Sequence, residues 1–275
     1  MNKKIHSLGF LSQLYEKSPH IRQEDCKIIH CTPIEFKREV KKETNLPIII
    51  QSNLDSQLSL ESSEVIRWLE QFNDKKIQVR IGNFSDPKEY AYNRKTYESQ
   101  FSEYLLNLKK NNQIDKIGYL GNYKLSQDSL LPAWALPPDL YSQNLFMQPS
   151  LWLGPSGAIT PLHTDGLDNF AVHIVGSKRW TLVPIQHYPD LEVSVPFPDL
   201  ATDLHTSSID LNKLGGLEWL KKNHITHTQF ICGPDETLYL PAGWFHYVET
   251  LTPSLMVNWW VDKAKAKPRI LTSVK

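Results

Sequence analysis

The sequence predicts a mainly β protein, a sandwich or barrel of short strands preceded by mixed helical and strand additions. From about residue 117, short apolar or alternating runs recur between Gly, Pro and Asp punctuation, the pattern of closely spaced strands. Before that point apolar residues recur mostly at helical spacing. With 275 residues, 40% of them hydrophobic and eight tryptophans, the protein has material for one large core.

The first region, 1–116, is expected to pack on the barrel as a helical and α+β unit. Thr32-Pro33-Ile34-Glu35 forms a capping box, with Thr32 as N-cap and Glu35 reaching back to the free N–H groups, so a short helix should run to about Thr44. LPIII (46–50) is an apolar run of strand length. Val65, Ile66, Leu69 and Phe72 predict one amphipathic helix, and Tyr97, Phe101, Tyr104, Leu105 and Leu108 a second. Between them KKIQVRIG (75–82) alternates like a strand.

The second region, 117–262, carries the runs IGYLG, LFMQPSLWLG, AITPLHTD, NFAVHIVG, KRWTLVP, ETLYLPAG, WFHYVETL and SLMVNWWV. An insertion at 186–234 has loop composition with one helix around 216–223, and its length points to a lid or binding loop. The basic tail, 263–275, is expected to fray.

Thirty acidic and thirty basic residues leave no overall field to draw the protein onto nucleic acid or anionic lipid. Its partner, a peptide, protein or small molecule, must be chosen locally. Three cysteines (Cys26, Cys31, Cys232) are too few for a disulfide scaffold and suit a reducing compartment. No apolar run approaches a membrane span, so a cytoplasmic protein without a membrane partner is expected.

His163 and Asp165 lie two apart on a candidate strand and therefore point to one face. His246 stands in a later strand run, after the turn Pro241-Ala242-Gly243. Two histidines and one carboxylate leave three adjacent positions open on a metal, the facial triad of non-haem Fe(II) oxygenases. Taken alone, the pattern is also that of a histidine capping a turn and a second histidine satisfied in a core.

The flanking stretch GPSGAITPLHTDGLDNFAVHIVGSKRWTLVP (154–184) resembles the core of the Jumonji-C, or cupin-like, hydroxylases, among them the asparaginyl hydroxylase of hypoxia-inducible factor. That family places a threonine three before the first histidine, an asparagine six after it and a lysine fifteen after it, matching Thr160, Asn169 and Lys178. The closing segment PAGWFHYVETL and VNWW, with Asn258, is similar as well. The resemblance implies a double-stranded β-helix (jelly-roll or cupin barrel) with His163, Asp165 and His246 on Fe(II), and 2-oxoglutarate and O2 as cosubstrates. Lys178 would form a salt bridge with the far carboxylate of 2-oxoglutarate, hydrogen-bonded too by Thr160 and Tyr119. A buried dicarboxylate needs such a positive partner. Asn169 and Asn258 would sit near the iron or the chelating end of the cosubstrate; ordinary strand-edge asparagines are the other reading. Trp260 either walls the site or belongs to the core.

Cys26, His30 and Cys31 lie close together without a second ligand pair at zinc-finger spacing, and His224 and His227 read as surface loop. His173 contacts substrate or cosubstrate if it faces the pocket and is otherwise a core histidine. The activity implied by the resemblance is hydroxylation of a C–H bond on a residue of a peptide or protein, away from its backbone, with release of succinate and CO2. Hydroxylation of a free amino acid or small natural product, N-methyl-lysine demethylation and a non-catalytic metal-binding cupin stand as alternatives. Trp134, Tyr141 and Trp219 are candidates for an aromatic rim that grips a peptide.

Overall fold

A computed structural model describes residues 10–41, 45–51, 58–126, 128–138, 143–193 and 205–262. Its strands, in sequence order, are β1 (Ile29–Cys31), β2 (Ile48–Gln51), β3 (Lys76–Ile81), β4 (Lys95–Gln100), β5 (Leu120–Lys124), β6 (Ser150–Gly154), β7 (Ile159–Thr164), β8 (Asp168–Val175), β9 (Lys178–Val183), β10 (His205–Thr206), β11 (Thr228–Cys232), β12 (Glu236–Leu240), β13 (Phe245–Thr250) and β14 (Ser254–Val261). The helices are α1 (Phe10–Lys17), α2 (Pro33–Lys41), α3 (Ser63–Glu70), α4 (Pro87–Ala91), α5 (Phe101–Lys110), α6 (Ile114–Ile117) and α7 (Leu217–Lys222). A seven-stranded sheet ordered β1-β2-β12-β8-β14-β6-β5 faces a five-stranded sheet ordered β10-β7-β13-β9-β11. The fold is thus the expected mainly β jelly roll of the cupin type with α/β additions.

Both strands at the centre of the large sheet, β8 and β14, are buried along their full length. Two-residue alternation explains how one strand serves two environments. On β14, Leu255, Val257, Trp259 and Val261 pack with Phe36, Trp68, Phe101 and Tyr104 from the N-terminal region, while Met256, Asn258 and Trp260 turn into the space between the sheets. Phe170, Val172 and Ile174 of β8 repeat the outward set, and Asn169 faces inward. The first region does more than cover the barrel: β1 and β2 extend the large sheet through the antiparallel β2–β12 pair.

The capping box forms as predicted, with the Glu35 carboxylate accepting from Thr32 N at 2.9 Å and Thr32 Oγ1 accepting from Glu35 N at 3.3 Å. Helix α2 is described to Lys41; the expected end near Thr44 lies outside the described residues. Tyr97 corrects the sequence reading. It lies on β4, opposite Val79 of β3, and only Phe101 onward is helical. Its hydroxyl donates to Ile117 O at 2.8 Å, so a tertiary contact and strand pairing override a spacing that fits a helix equally well.

Segment 186–234 is less of a loop than its composition suggests. Helix α7 lies where one was expected, but β10 pairs with β7 and β11 with β9, widening the small sheet at both edges. Leu191, Ile209, Leu211, Leu220 and Ile225 pack on the outward residues Leu162, Val183, Phe245 and Tyr247. The described part of the insertion therefore covers the outer face of the small sheet. None of its described residues lines the cavity between the sheets. The 263–275 tail lies outside the described residues. No helix among those described is long and apolar enough to cross a membrane.

Candidate metal centre and cosubstrate cavity

Strands β7 and β13 set His163 directly opposite His246, with ring centroids 4.0 Å apart. Asp165 follows the end of β7, where its carbonyl accepts from Gly243 N at 3.0 Å across the turn that leads into β13. One candidate ligand atom from each of the three residues lies within 4.8 Å of the others, and all three residues are buried. Each histidine is oriented through Nδ1, which donates to Pro161 O at 2.7 Å in His163 and to Trp244 O at 3.1 Å in His246. That tautomer leaves Nε2 as the lone-pair donor. Burial pushes the His163 imidazole down to about 3, and the neighbouring His246 adds to the shift; burial pushes His246 down to about 4. Both are therefore neutral at physiological pH, the state a metal ligand requires. Trp260 Nε1 donates to Asp165 Oδ2 at 2.8 Å, so of the two roles considered Trp260 has that of a wall of the site.

A cavity of about 240 Å³ opens beside this cluster. Lys178, only 1% exposed, lines it and donates to Tyr119 Oη at 3.0 Å and Thr250 Oγ1 at 2.8 Å. Both partners are neutral, and burial pushes the amine down to about 7. Thr160, Asn169 and Asn258 line the same cavity. Thr160 and His163 are three apart, an odd separation that should place them on opposite faces. A register shift in the β7–β13 pair inserts one extra residue between them and turns both inward.

The side-chain oxygens of Asn169 and Asn258 and the indole N–H of Trp152 are buried without a hydrogen-bond partner among the described residues. Buried polar groups are seldom left so, and all three face the cavity. Together with an anion-demanding lysine and a His-Asp-His donor set, they fit a divalent metal and a polar, dianionic ligand.

Sequence reasoning missed Thr250, which strand parity from His246 through Val248 would have found. Tyr90, Trp152 and Trp180 also line the cavity, and they come from elements whose approach no local pattern reveals. His173 is buried and accepts from Trp180 Nε1 at 3.2 Å, outside the cavity lining; of the two roles considered it has the core one. Trp134 packs edge-on against Trp68 with centroids 5.2 Å apart, and Trp219 packs on the core beneath the insertion, so neither forms a rim around the cavity. Tyr141 lies outside the described residues.

Gly154 faces the Tyr119 ring so closely that any Cβ there would overlap it. Gly154→Ala should displace Tyr119 from Lys178 at an overpacking cost of about 1–3 kcal/mol. A lowered melting temperature with weakened 2-oxoglutarate binding is expected; unchanged binding would show that Tyr119 does not set the position of Lys178.

Two facing sheets that enclose a buried His-Asp-His cluster define a protein of the cupin class. The chain belongs to the family described as the cupin-like domain, which matches residues 37–267. It is similar to lysine-specific demethylase 8 of Xenopus tropicalis, 24% identical over 84% of this chain and 52% of the relative. Lysine-specific demethylase JMJ30 of Arabidopsis thaliana is 35% identical over 42% of this chain and 26% of that protein. JmjC domain-containing protein F of Dictyostelium discoideum is 29% identical over 58% of this chain and 40% of its own length. The aligned sequence thus spans about half or less of each of these relatives.

Proposed function

We propose that the protein is an Fe(II)- and 2-oxoglutarate-dependent oxygenase that hydroxylates a C–H bond on a residue of a peptide or protein, away from its backbone. Lys178 carries the proposal: a buried amine whose hydrogen-bond partners among the described residues are hydroxyls, in a cavity that also holds three potential metal ligands, matches a dicarboxylate bridging the two. His163, Asp165 and His246 would hold the metal, and Lys178, Tyr119 and Thr160 the distal carboxylate. Bound there, Fe(II) and 2-oxoglutarate supply the activation of O2 and the coupling of hydroxylation to release of succinate and CO2. The protein's own contribution is binding, orientation and exclusion of water. The backbone carbonyls of Pro161 and Trp244 fix the two imidazoles, the Trp260 indole fixes Asp165, and Trp152, Trp180, Val248 and Met256 provide the apolar walls.

N-methyl-lysine demethylation is the second reading, favoured by relatives named as lysine-specific demethylases. It uses the same hydroxylation, followed by loss of formaldehyde from the methyl group. The test is to incubate the Fe(II)-loaded protein with 2-oxoglutarate and peptide pools and to measure succinate, formaldehyde and substrate mass together. Succinate with a stable gain of one oxygen supports hydroxylation, and succinate with formaldehyde supports demethylation. Absence of succinate with and without every pool would overturn the oxygenase reading.

A further inference from the structure

Two links join the facing sheets beside the metal centre. Residues 165–167 lead from β7 of the small sheet to β8 of the large one, and residues 241–244 lead from β12 of the large sheet to β13 of the small one. The first link carries Asp165, and the second delivers His246. Strand pairing sets His163 opposite His246, but the β7–β13 ladder ends at the pair of Thr164 with Phe245. The β10–β7 ladder also stops at Thr164. Asp165 is therefore beyond both ladders. Apart from the Trp260 indole, its place beside His246 depends on contacts between the two links.

Those contacts form a two-point stitch. Gly243 N donates to Asp165 O at 3.0 Å, and the preceding amide, Ala242 N, donates to Asp168 Oδ1 at 3.0 Å. Asp168 begins β8 and is 5% exposed. Its other oxygen, Oδ2, accepts from Tyr239 Oη at 2.7 Å, which anchors the carboxylate to β12. Hydrogen bonds to an ionised acceptor are roughly twice as strong as neutral ones, so a carboxylate holds the amide more firmly than a carbonyl would. The turn it holds is closed by Trp244 N donating to Pro241 O at 3.3 Å. Trp244 O in turn accepts from His246 Nδ1 at 3.1 Å, so a displaced turn reaches the imidazole directly. Asp168 itself belongs neither to the cluster of potential metal ligands nor to the cavity lining.

We infer that Asp168 is a positioning residue for the metal centre: its carboxylate holds the 241–243 turn against the β7–β8 link and so fixes His246 relative to Asp165. The inference rests on the metal-centre reading. A purely structural role predicts something different. Loss of the hydrogen bonds to a buried carboxylate would then lower the melting temperature and leave metal affinity and ligand geometry as they are.

Affinity is read by Mn(II) titration of the metal-free protein, and geometry by the visible absorption of its Co(II)-loaded form; neither needs turnover. Asp168→Ala should weaken Mn(II) binding by roughly 10–100-fold, the usual cost of losing a group that orients a metal ligand, and should change the position or intensity of the Co(II) bands. Asp168→Asn should restore both, because the amide oxygen still accepts from Ala242 N and the amide NH2 can donate to Tyr239 Oη. Asp168→Ser keeps a polar atom but is too short to span both donors, and it repeats the comparison if the alanine variant does not fold. A folded alanine or serine variant that binds Mn(II) as wild type does, with unchanged Co(II) bands, overturns the inference. So does an asparagine variant as weak as the alanine one. If wild-type protein binds no Mn(II), the metal centre and the inference fail together. If the binding pattern holds but no peptide pool yields succinate from the Fe(II) protein, the oxygenase reading fails and the role of Asp168 stands.

Discussion

His246→Ala should abolish turnover and deprive the protein of stoichiometric metal. The site has three protein ligands, and removal of partners that merely orient a ligand already costs roughly 10–100-fold in affinity, so loss of a ligand itself should cost more. The histidine lies between two packed sheets, where no other described His, Cys, Asp or Glu joins the cluster to replace it. Deletion also leaves Asp165 buried beside His163 with one fewer group to share a cation. Isothermal titration with Mn(II), which needs no catalysis, reads the loss directly. Full occupancy by iron together with unchanged turnover in His246→Ala would refute the triad.

Part of that cluster has local geometry, while His246 was assigned through the resemblance of its flanking residues. His163 and Asp165 are two apart in an extended run, and a strand period of two puts them on one face without knowledge of any partner strand. Lys178 was singled out by the resemblance, because in KRWTLVP it stands beside Arg179 and could by pattern alone have been an exposed strand lysine. The approach of Arg80 and Arg94 to the Tyr90 ring was not readable. Arg80 lies on an alternating strand that looks half-exposed, Tyr90 and Arg94 lie on or just beyond a five-residue helix, and they meet only because β3 bridges to Tyr119 and α4 packs on β7. The packing of the described part of the insertion was not readable for the same reason. Its apolar residues are scattered without a period, and what unites them is the outer face of the small sheet, built from residues distant in sequence. Tyr97 marks the remaining limit: a five-position apolar pattern fits a helix throughout, yet its first member pairs as a strand.

Replacing Lys178 with methionine should separate stability from function. Removal of one partner of a buried ion pair costs about 3–5 kcal/mol, so 2-oxoglutarate affinity should fall by roughly two orders of magnitude or more, with metal binding retained. Without ligand the effect on stability has the opposite sign. The unfolded protein keeps the lysine proton to about 10.4, whereas in the fold burial lets it go above about 7. Between those values the unfolded state holds more protons, so the stability of ligand-free wild type should rise with pH across that window. Below it the full cost of burying the charge is present. Methionine fills similar volume without that charge, so the variant should melt higher at pH 7 and lose this part of the pH dependence. Cosubstrate binding in wild type should run the other way: the ammonium is the form that pairs with a carboxylate, so affinity should hold below about pH 7 and weaken above it, by at most about tenfold per unit. Melting curves and 2-oxoglutarate titrations over the same pH range check both signs. A methionine variant that binds 2-oxoglutarate as wild type does would show that the distal carboxylate is held elsewhere.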